Sequence, residues 1–282
     1  MYKVIDGKAL AAKMRAGLKE EVEAFTAAHG EVGLAVVLAG NDPASQVYVR
    51  NKIKACAETG IRSHAFYLPA DVTQPQIEEL VSSLAENEAI HGILVQLPLP
   101  AGLDAERVLN LIPYEKDVDG FSAENIGKLA MGRETLVACT PYGVMKMLES
   151  ENISLKGKNA VVIGRSNIVG KPMAMLLTNA DATVTLCHSK TQNLKEICAR
   201  ADILVAAIGR AKFVTADMVK EGATVIDVGM DRDENGKLCG DVDYENVKEK
   251  AAYITPVPGG VGPMTITMLM HNAFIAAKRS VK

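Results

Sequence analysis

The chain has no tryptophan, and aromatic residues supply only 4% of its 282 positions, which argues against a platform for stacking nucleic-acid bases. No run of Lys or Arg stands out and the formal net charge is −3, so a broad electrostatic face for nucleic acid is not expected, although a small anion site stays open. No window approaches the roughly 20 apolar residues that span a bilayer, and the opening MYKVIDGKAL lacks the apolar core of a signal peptide. The five cysteines (Cys56, Cys139, Cys187, Cys198, Cys239) form no C-x-x-C pair and fall in apolar or helical runs, the pattern of reduced, buried thiols in a cytoplasmic protein. The histidines are scattered without an H-E-x-x-H, so no metal is expected, and no G-x-S-x-G elbow supports a serine hydrolase. Asp231–Gly236 imitates the first half of a calcium loop, but its twelfth position is Val242 rather than glutamate, and a hairpin turn is expected there.

What is present is alternation of helix and strand. The recurrence of Leu10, Met14, Leu18, Val22 and Phe25 predicts an amphipathic helix opening after Asp6-Gly7. GLAVVLAG (33–40) reads as a strand covered on both faces. Asp42 as N-cap, Pro43 at the first helical position and Gly60 as the stop bound a second helix. A strand near His64–Leu68, a helix over 74–86, the strand HGILVQL (91–97) and a short helix near 104–112 complete a parallel βαβ series. In the second half, NAVVIG (159–164) precedes a helical RSNIVGKPMAMLL. The runs TVTLCH (183–188), DILVAAIG (202–209) and TVIDVG (224–229) complete a doubly wound nucleotide-binding pattern. A last helix near 263–280 has no strand after it, so it is expected to pack back on the N-terminal domain. The fold class is therefore α/β in two domains, an N-terminal αβα domain with a parallel sheet (1–139 plus 263–282) and a C-terminal Rossmann-type domain (140–262).

Three places carry candidate chemistry. On a helix, Ser45, Tyr48 and Lys52 share one face, beside an apolar stripe of Val49, Ile53, Cys56 and Ala57. A lysine and a tyrosine beside packed apolar surface make a proton-handling pair, because partial desolvation favours the neutral amine. Gln96 ends an apolar strand among Leu94, Leu97 and Leu99 and needs partners there; a structural bond to a loop accounts for it as well as a ligand does. Asp117 and Asp119 lie in a Gly-ended loop, where turn duty would explain either. The turn Gly164-Arg165-Ser166-Asn167-Ile168-Val169-Gly170 joins a strand to a helix, the setting of a dinucleotide fingerprint, with Ser166 in place of the usual middle glycine. Cys187-His188-Ser189-Lys190 offers no acid to bind a free ribose 2′-hydroxyl. With Arg165 nearby the choice is NADP over NAD, unless His188 and Lys190 are merely solvated.

Taken together, Ser45-x-x-Tyr48-x-x-x-Lys52, GILVQLPLP (92–100), KDVDGF (116–121), CTPYG (139–143), VVIGRSNIVGKP (161–172) and ITPVPGGVGPMT (254–265) resemble one family in order over the whole chain: the bifunctional methylenetetrahydrofolate dehydrogenase/methenyltetrahydrofolate cyclohydrolases. The resemblance implies two α/β domains facing across a cleft, in a cytoplasmic homodimer acting on tetrahydrofolate one-carbon derivatives with NADP. It assigns catalysis to Lys52, with Tyr48 stacking near the pterin, Gln96 bonding Lys52 and Asp119 holding the pterin's amino edge. Val95, Leu97 and Pro258, Gly259, Gly260, Val261 and Gly262 would line the folate, while Gly164, Arg165, Ser166, Ser189 and Met230 would contact NADP. Met230 stands where many relatives carry isoleucine, a volume-tolerant swap. Two other readings remain: another NADP-dependent oxidoreductase, such as an amino-acid dehydrogenase, and a non-catalytic nucleotide sensor.

Overall fold

The computed structural model describes residues 2–281. The chain runs β1 (Lys3–Val4), α1 (Gly7–His29), β2 (Gly33–Ala39), α2 (Pro43–Thr59), β3 (Arg62–Leu68), α3 (Gln74–Glu86), β4 (Gly92–Val95), α4 (Ala105–Leu109) and α5 (Ala123–Ala130). It continues through α6 (Cys139–Ser150), β5 (Asn159–Ile163), α7 (Gly170–Asn179), β6 (Thr183–Cys187), α8 (Leu194–Cys198), β7 (Ile203–Ala206) and β8 (Thr224–Asp227). The hairpin β9 (Asp231–Arg232) and β10 (Leu238–Cys239), then α9 (Tyr244–Val247), β11 (Tyr253–Ile254) and α10 (Val261–Ser280), complete it. Two compact units result: Lys13–Cys139 with the chain from Ile266 on, and Thr140–Thr265 with the chain up to Ala12.

The first unit holds a three-stranded parallel sheet in the order β3-β2-β4. Its middle strand is buried at every position, as a continuous apolar run requires. Val37, Ile77, Val81, Ile93 and Val95 belong to its core. Asp42 starts α2 by accepting the Ser45 N–H at 2.7 Å, and Gly60 stops it in the left-handed conformation at φ 74°. The buried stripe of α2 runs Ser45, Val49, Cys56, Thr59. Ser45 therefore lies on the packed side rather than with the polar row. Ala57, one residue round the helix from Cys56, is exposed, and Ala55 is buried instead. Strand β4 stops at Val95, two residues short of the expected end, and the Leu97–Pro98 peptide that follows is cis. From Ile266 on, α10 packs in this unit: Asn272 Nδ2 donates to the Val118 and Val137 carbonyls, each at 2.8 Å, and Phe274 meets Phe25 edge-on at 5.7 Å.

The second unit is a six-stranded parallel sheet in the order β1-β11-β8-β7-β5-β6. From β6 to β11 this is a doubly wound order, with the chain reversing direction of travel between β5 and β7. The short β1 pairs Lys3 with Tyr253 and so places the first residues in this sheet, where sequence grouped them with 13–139. A two-residue strand has no periodicity to read. Helix α7 opens at Gly170 and not at Arg165, because the Ser166 hydroxyl accepts the Val169 and Gly170 N–H groups and holds 166–169 as a turn. The calcium-like segment is a hairpin, with Gly236 at φ 75°. All five cysteines are buried free thiols, and no described helix is long and apolar enough to cross a membrane.

Candidate active site

Within the first unit α2, β4 and the loop after α4 converge on one polar group. Lys52 Nζ donates to Gln96 Oε1 at 2.9 Å, and Gln96 Nε2 donates to the Leu97 carbonyl at 2.6 Å. The Gln96 backbone N–H reaches Val37 O at 2.8 Å, so main chain and side chain are both held. Gln96 is half-buried, not enclosed, because β4 has ended and its side chain leaves the sheet beside Leu97. Val95 is buried as the last residue of β4. Tyr48 sits one helical turn before Lys52 and is 40% exposed.

Asp119 is the charged partner. Burial pushes its carboxyl up to about 6; the Lys52 ammonium works against that rise and the Asp117 carboxylate adds to it. Lys52 and Asp119 are thus in each other's field. The loop carrying Asp119 is pinned from several sides. Buried Asp117 accepts the N–H groups of Gly120 (3.1 Å) and Ser122 (2.7 Å) and the Asn125 Nδ2 (3.0 Å). Asn125 also donates to Tyr114 O and accepts from the Thr135 hydroxyl. Cys139 Sγ and Asn272 Nδ2 both reach the Val118 carbonyl. At Gly120 (φ 70°) a Cβ would lie 2.5 Å from Ala138 N, so only glycine closes this turn. Sequence missed Asn125 and Asn272, whose partners lie as far as 154 residues away and leave no local signal.

The second unit gathers the other candidates. Ile163 pairs with Cys187, and the Gly164 N–H donates to Cys187 O at 2.9 Å, so Gly164-Arg165-Ser166 and His188-Ser189-Lys190 follow adjacent strands. A Cβ at Gly164 (φ 114°) would lie 2.0 Å from Ala207 O, and one at Gly170 would lie 1.9 Å from Gly164 O. That close-packed turn lies at the switch point, where open α/β sheets bind their ligands. Arg165, Ser166, Ser189 and Lys190 are exposed, with no carboxylate among them, and this donor set fits a ribose 2′-phosphate. Met230, 51% exposed, follows β8. Pro258–Gly262 belong to this unit too: Val257–Pro258 is cis, Gly259 O accepts the Lys8 N–H at 2.9 Å, and a Cβ on Gly262 would touch Met230 Cε at 3.3 Å. Among the described residues no group of three or more His, Cys, Asp or Glu could hold a metal.

Comparison with known proteins decides the family. Residues 5–119 match the model of the tetrahydrofolate dehydrogenase/cyclohydrolase catalytic domain, and 138–281 match that of its NAD(P)-binding domain. The chain belongs to the tetrahydrofolate dehydrogenase/cyclohydrolase family. It is 59% identical over 276 residues to the bifunctional protein FolD of Dechloromonas aromatica, covering 98% of this chain and 97% of that one. The crystal structure of the bifunctional FolD from Campylobacter jejuni superposes with a TM-score of 0.97 at 49% identity, covering 99% of both chains. The Trypanosoma brucei enzyme, solved with NADP cofactor and an inhibitor, gives a TM-score of 0.94 at 43% identity, covering 100% of this chain and 99% of that one. Within this family the Lys52–Gln96 bond belongs to the catalytic-domain match and the Gly164–Gly170 turn to the NAD(P)-binding match.

Proposed function

We propose that this enzyme oxidises 5,10-methylenetetrahydrofolate with NADP and hydrolyses the resulting 5,10-methenyltetrahydrofolate to 10-formyltetrahydrofolate, with Lys52 moving the proton in the second step. The observation that carries the residue assignment is the 2.9 Å bond from Lys52 Nζ to Gln96, in the field of Asp119. NADP, when bound, accepts the two electrons and one hydrogen that leave the one-carbon bridge. The protein's part in that step is alignment. Asp119 takes the amino edge of the pterin, Tyr48 covers its face, and Val95 and Leu97 line it. Gly164, Arg165, Ser166, Ser189 and Met230 orient the dinucleotide.

The hydrolytic step needs a proton relay. Water adds to the methenyl carbon as Lys52 Nζ, in its neutral amine form, takes one water proton, and the bond from that carbon to N5 breaks as the resulting ammonium passes that proton to N5. The remaining hydroxyl proton goes to solvent as the formyl C=O forms. Gln96 aims Nζ by accepting one of its hydrogens. Residues 13–139 with the last helix would carry folate chemistry, and 140–262 would carry NADP.

The same reading makes the protein a cytoplasmic homodimer without nucleic-acid or membrane partners. In support, β3 is an edge strand with Tyr67 63% exposed, and the net charge is −3. Light scattering on the purified protein tests the dimer. The activity is tested by adding methylenetetrahydrofolate and NADP, then following the decay of methenyl absorbance. Turnover of a 2-keto acid with ammonia and none of folate would replace the reading with an amino-acid dehydrogenase.

A further inference from the structure

Two buried carboxylates in the second unit take no part in the chemistry above. Asp241 is 0% exposed and Asp227 is 3% exposed. Asp241 Oδ2 accepts the Ile208 N–H and Oδ1 the Arg210 N–H, each at 2.7 Å. Asp227 Oδ1 accepts from Gly229 N at 3.0 Å and Asp241 N at 2.9 Å, and Oδ2 accepts from Val242 N at 2.9 Å. Five backbone amides are thus tied to two side chains that lie one after the other. The end of β8 is fastened to residues 241–242, and Asp241 in turn fastens the chain after β7.

Glycines make the room. A Cβ on Gly240 would lie 2.0 Å from Asp227 Oδ2, and one on Gly229 would lie 2.6 Å from Asp241 Cγ. Asp231 adds a third carboxyl, which burial first, then the charge of Asp241, raises above the usual carboxylate range. Burying carboxylates is costly even when amides satisfy them, and an apolar packing would hold the two strand ends at lower cost. The arrangement is better suited to fixing loop geometry than to adding stability. Of the two loops it fixes, the one after β7 flanks the switch point and the one after β8 lies beside it. Ile208 follows Ala207, the residue against which Gly164 is packed, and Met230 follows Gly229.

We propose that Asp241 and Asp227 are positioning residues for the dinucleotide, holding the loops after β7 and β8 in the shape that NADP requires before it arrives. This rests on the NADP reading above. Asp202 provides the control, since it accepts the Asn159 N–H at the opposite, amino end of β5. The test is NADPH binding by fluorescence titration, together with NADP KM, kcat and cofactor-free hydrolysis of methenyltetrahydrofolate, for wild type, Asp241→Asn and Asp202→Asn. The expected result for Asp241→Asn is a tenfold or greater rise in Kd and KM. Its kcat at saturation should stay within about threefold and its hydrolysis should be unchanged, with Asp202→Asn binding as wild type does. A folded Asp241→Asn protein with Kd within twofold of wild type would overturn the proposal. Should that variant not fold, hydrogen exchange on the wild type decides: the Ile208 and Arg210 amides should be protected without NADP. Free exchange that slows only on NADP addition would overturn the proposal alone. A wild-type protein that binds no NADPH would overturn the cofactor reading with it.

Discussion

Lys52 and Gln96 lie 44 positions apart in the chain, yet the ammonium of one donates to the amide oxygen of the other at 2.9 Å. The helix start at Asp42 and the strand end at Val95 bring them together, so two local signals, a cap and an apolar run, fix one long-range contact. A hydrogen bond to a charged group contributes about 1.5–3 kcal/mol. Gln96→Leu is therefore expected to lower the methenyltetrahydrofolate hydrolysis rate by about 10- to 150-fold. Because Gln96 is half-buried at a strand end, the Tm should change little. Steady-state rates and a thermal melt on the same preparation check both.

Asp119 is expected to make folate binding dependent on pH. Burial holds its carboxyl up at about 6, so the anion proposed to hold the pterin is lost as pH falls through that value. Folate KM should rise below pH 6 while NADP KM stays flat. The sign for stability is opposite. A folded value above the ordinary 3.8 means that the unfolded chain gives up its proton first, so stability falls as pH rises from about 4 to about 6. Above pH 6 the buried charge costs up to about 3 kcal/mol. Asp119→Asn should thus bind folate worse and melt higher at pH 7.5, by denaturant titration of the ligand-free protein.

Much of the scaffold is written locally. The cap at Asp42, the stop at Gly60, the helix over 74–86 and the strands at 159–163, 183–187, 203–206 and 224–227 follow from periodicity and turn chemistry. So does the hairpin at Asp231–Gly236, because a calcium loop needs a carboxylate where Val242 stands. Other features are not local. The strand at Lys3–Val4 exists only through its pairing with Tyr253–Ile254, and Ala57 turned outward because the stripe of α2 is set by the sheet it packs on. The pins on the Asp119 loop, Asn125 and Asn272, read as ordinary helical polar residues until the carbonyls they satisfy are seen.

Those pins give the next prediction. Asn272 is fully buried and serves two backbone carbonyls, so Asn272→Ala strands that of Val137, leaves that of Val118 to the Cys139 thiol alone, and should cost about 1–3 kcal/mol of stability. The same change should raise folate KM more than NADP KM, because one of those carbonyls belongs to the residue preceding Asp119. Denaturant unfolding and the two KM values measure it.

Arg165 is the residue proposed to set cofactor choice. It is exposed beside the Ser189-Lys190 turn, with no acid to attract a bare ribose hydroxyl. Arg165→Ala should raise NADP KM about tenfold and leave NAD KM nearly unchanged, as expected for the loss of one phosphate contact. An unaltered KM ratio would remove Arg165 from this role.

The account stands on the proton carried by Lys52, and the most direct measurement is hydrolysis of methenyltetrahydrofolate by Lys52→Met without NADP. Methionine keeps the length of the stem and removes the nitrogen, so the side chain still packs while the relay is gone. The predicted result is a rate at the uncatalysed background from a protein that still binds folate. Hydrolysis at the wild-type rate would contradict the account.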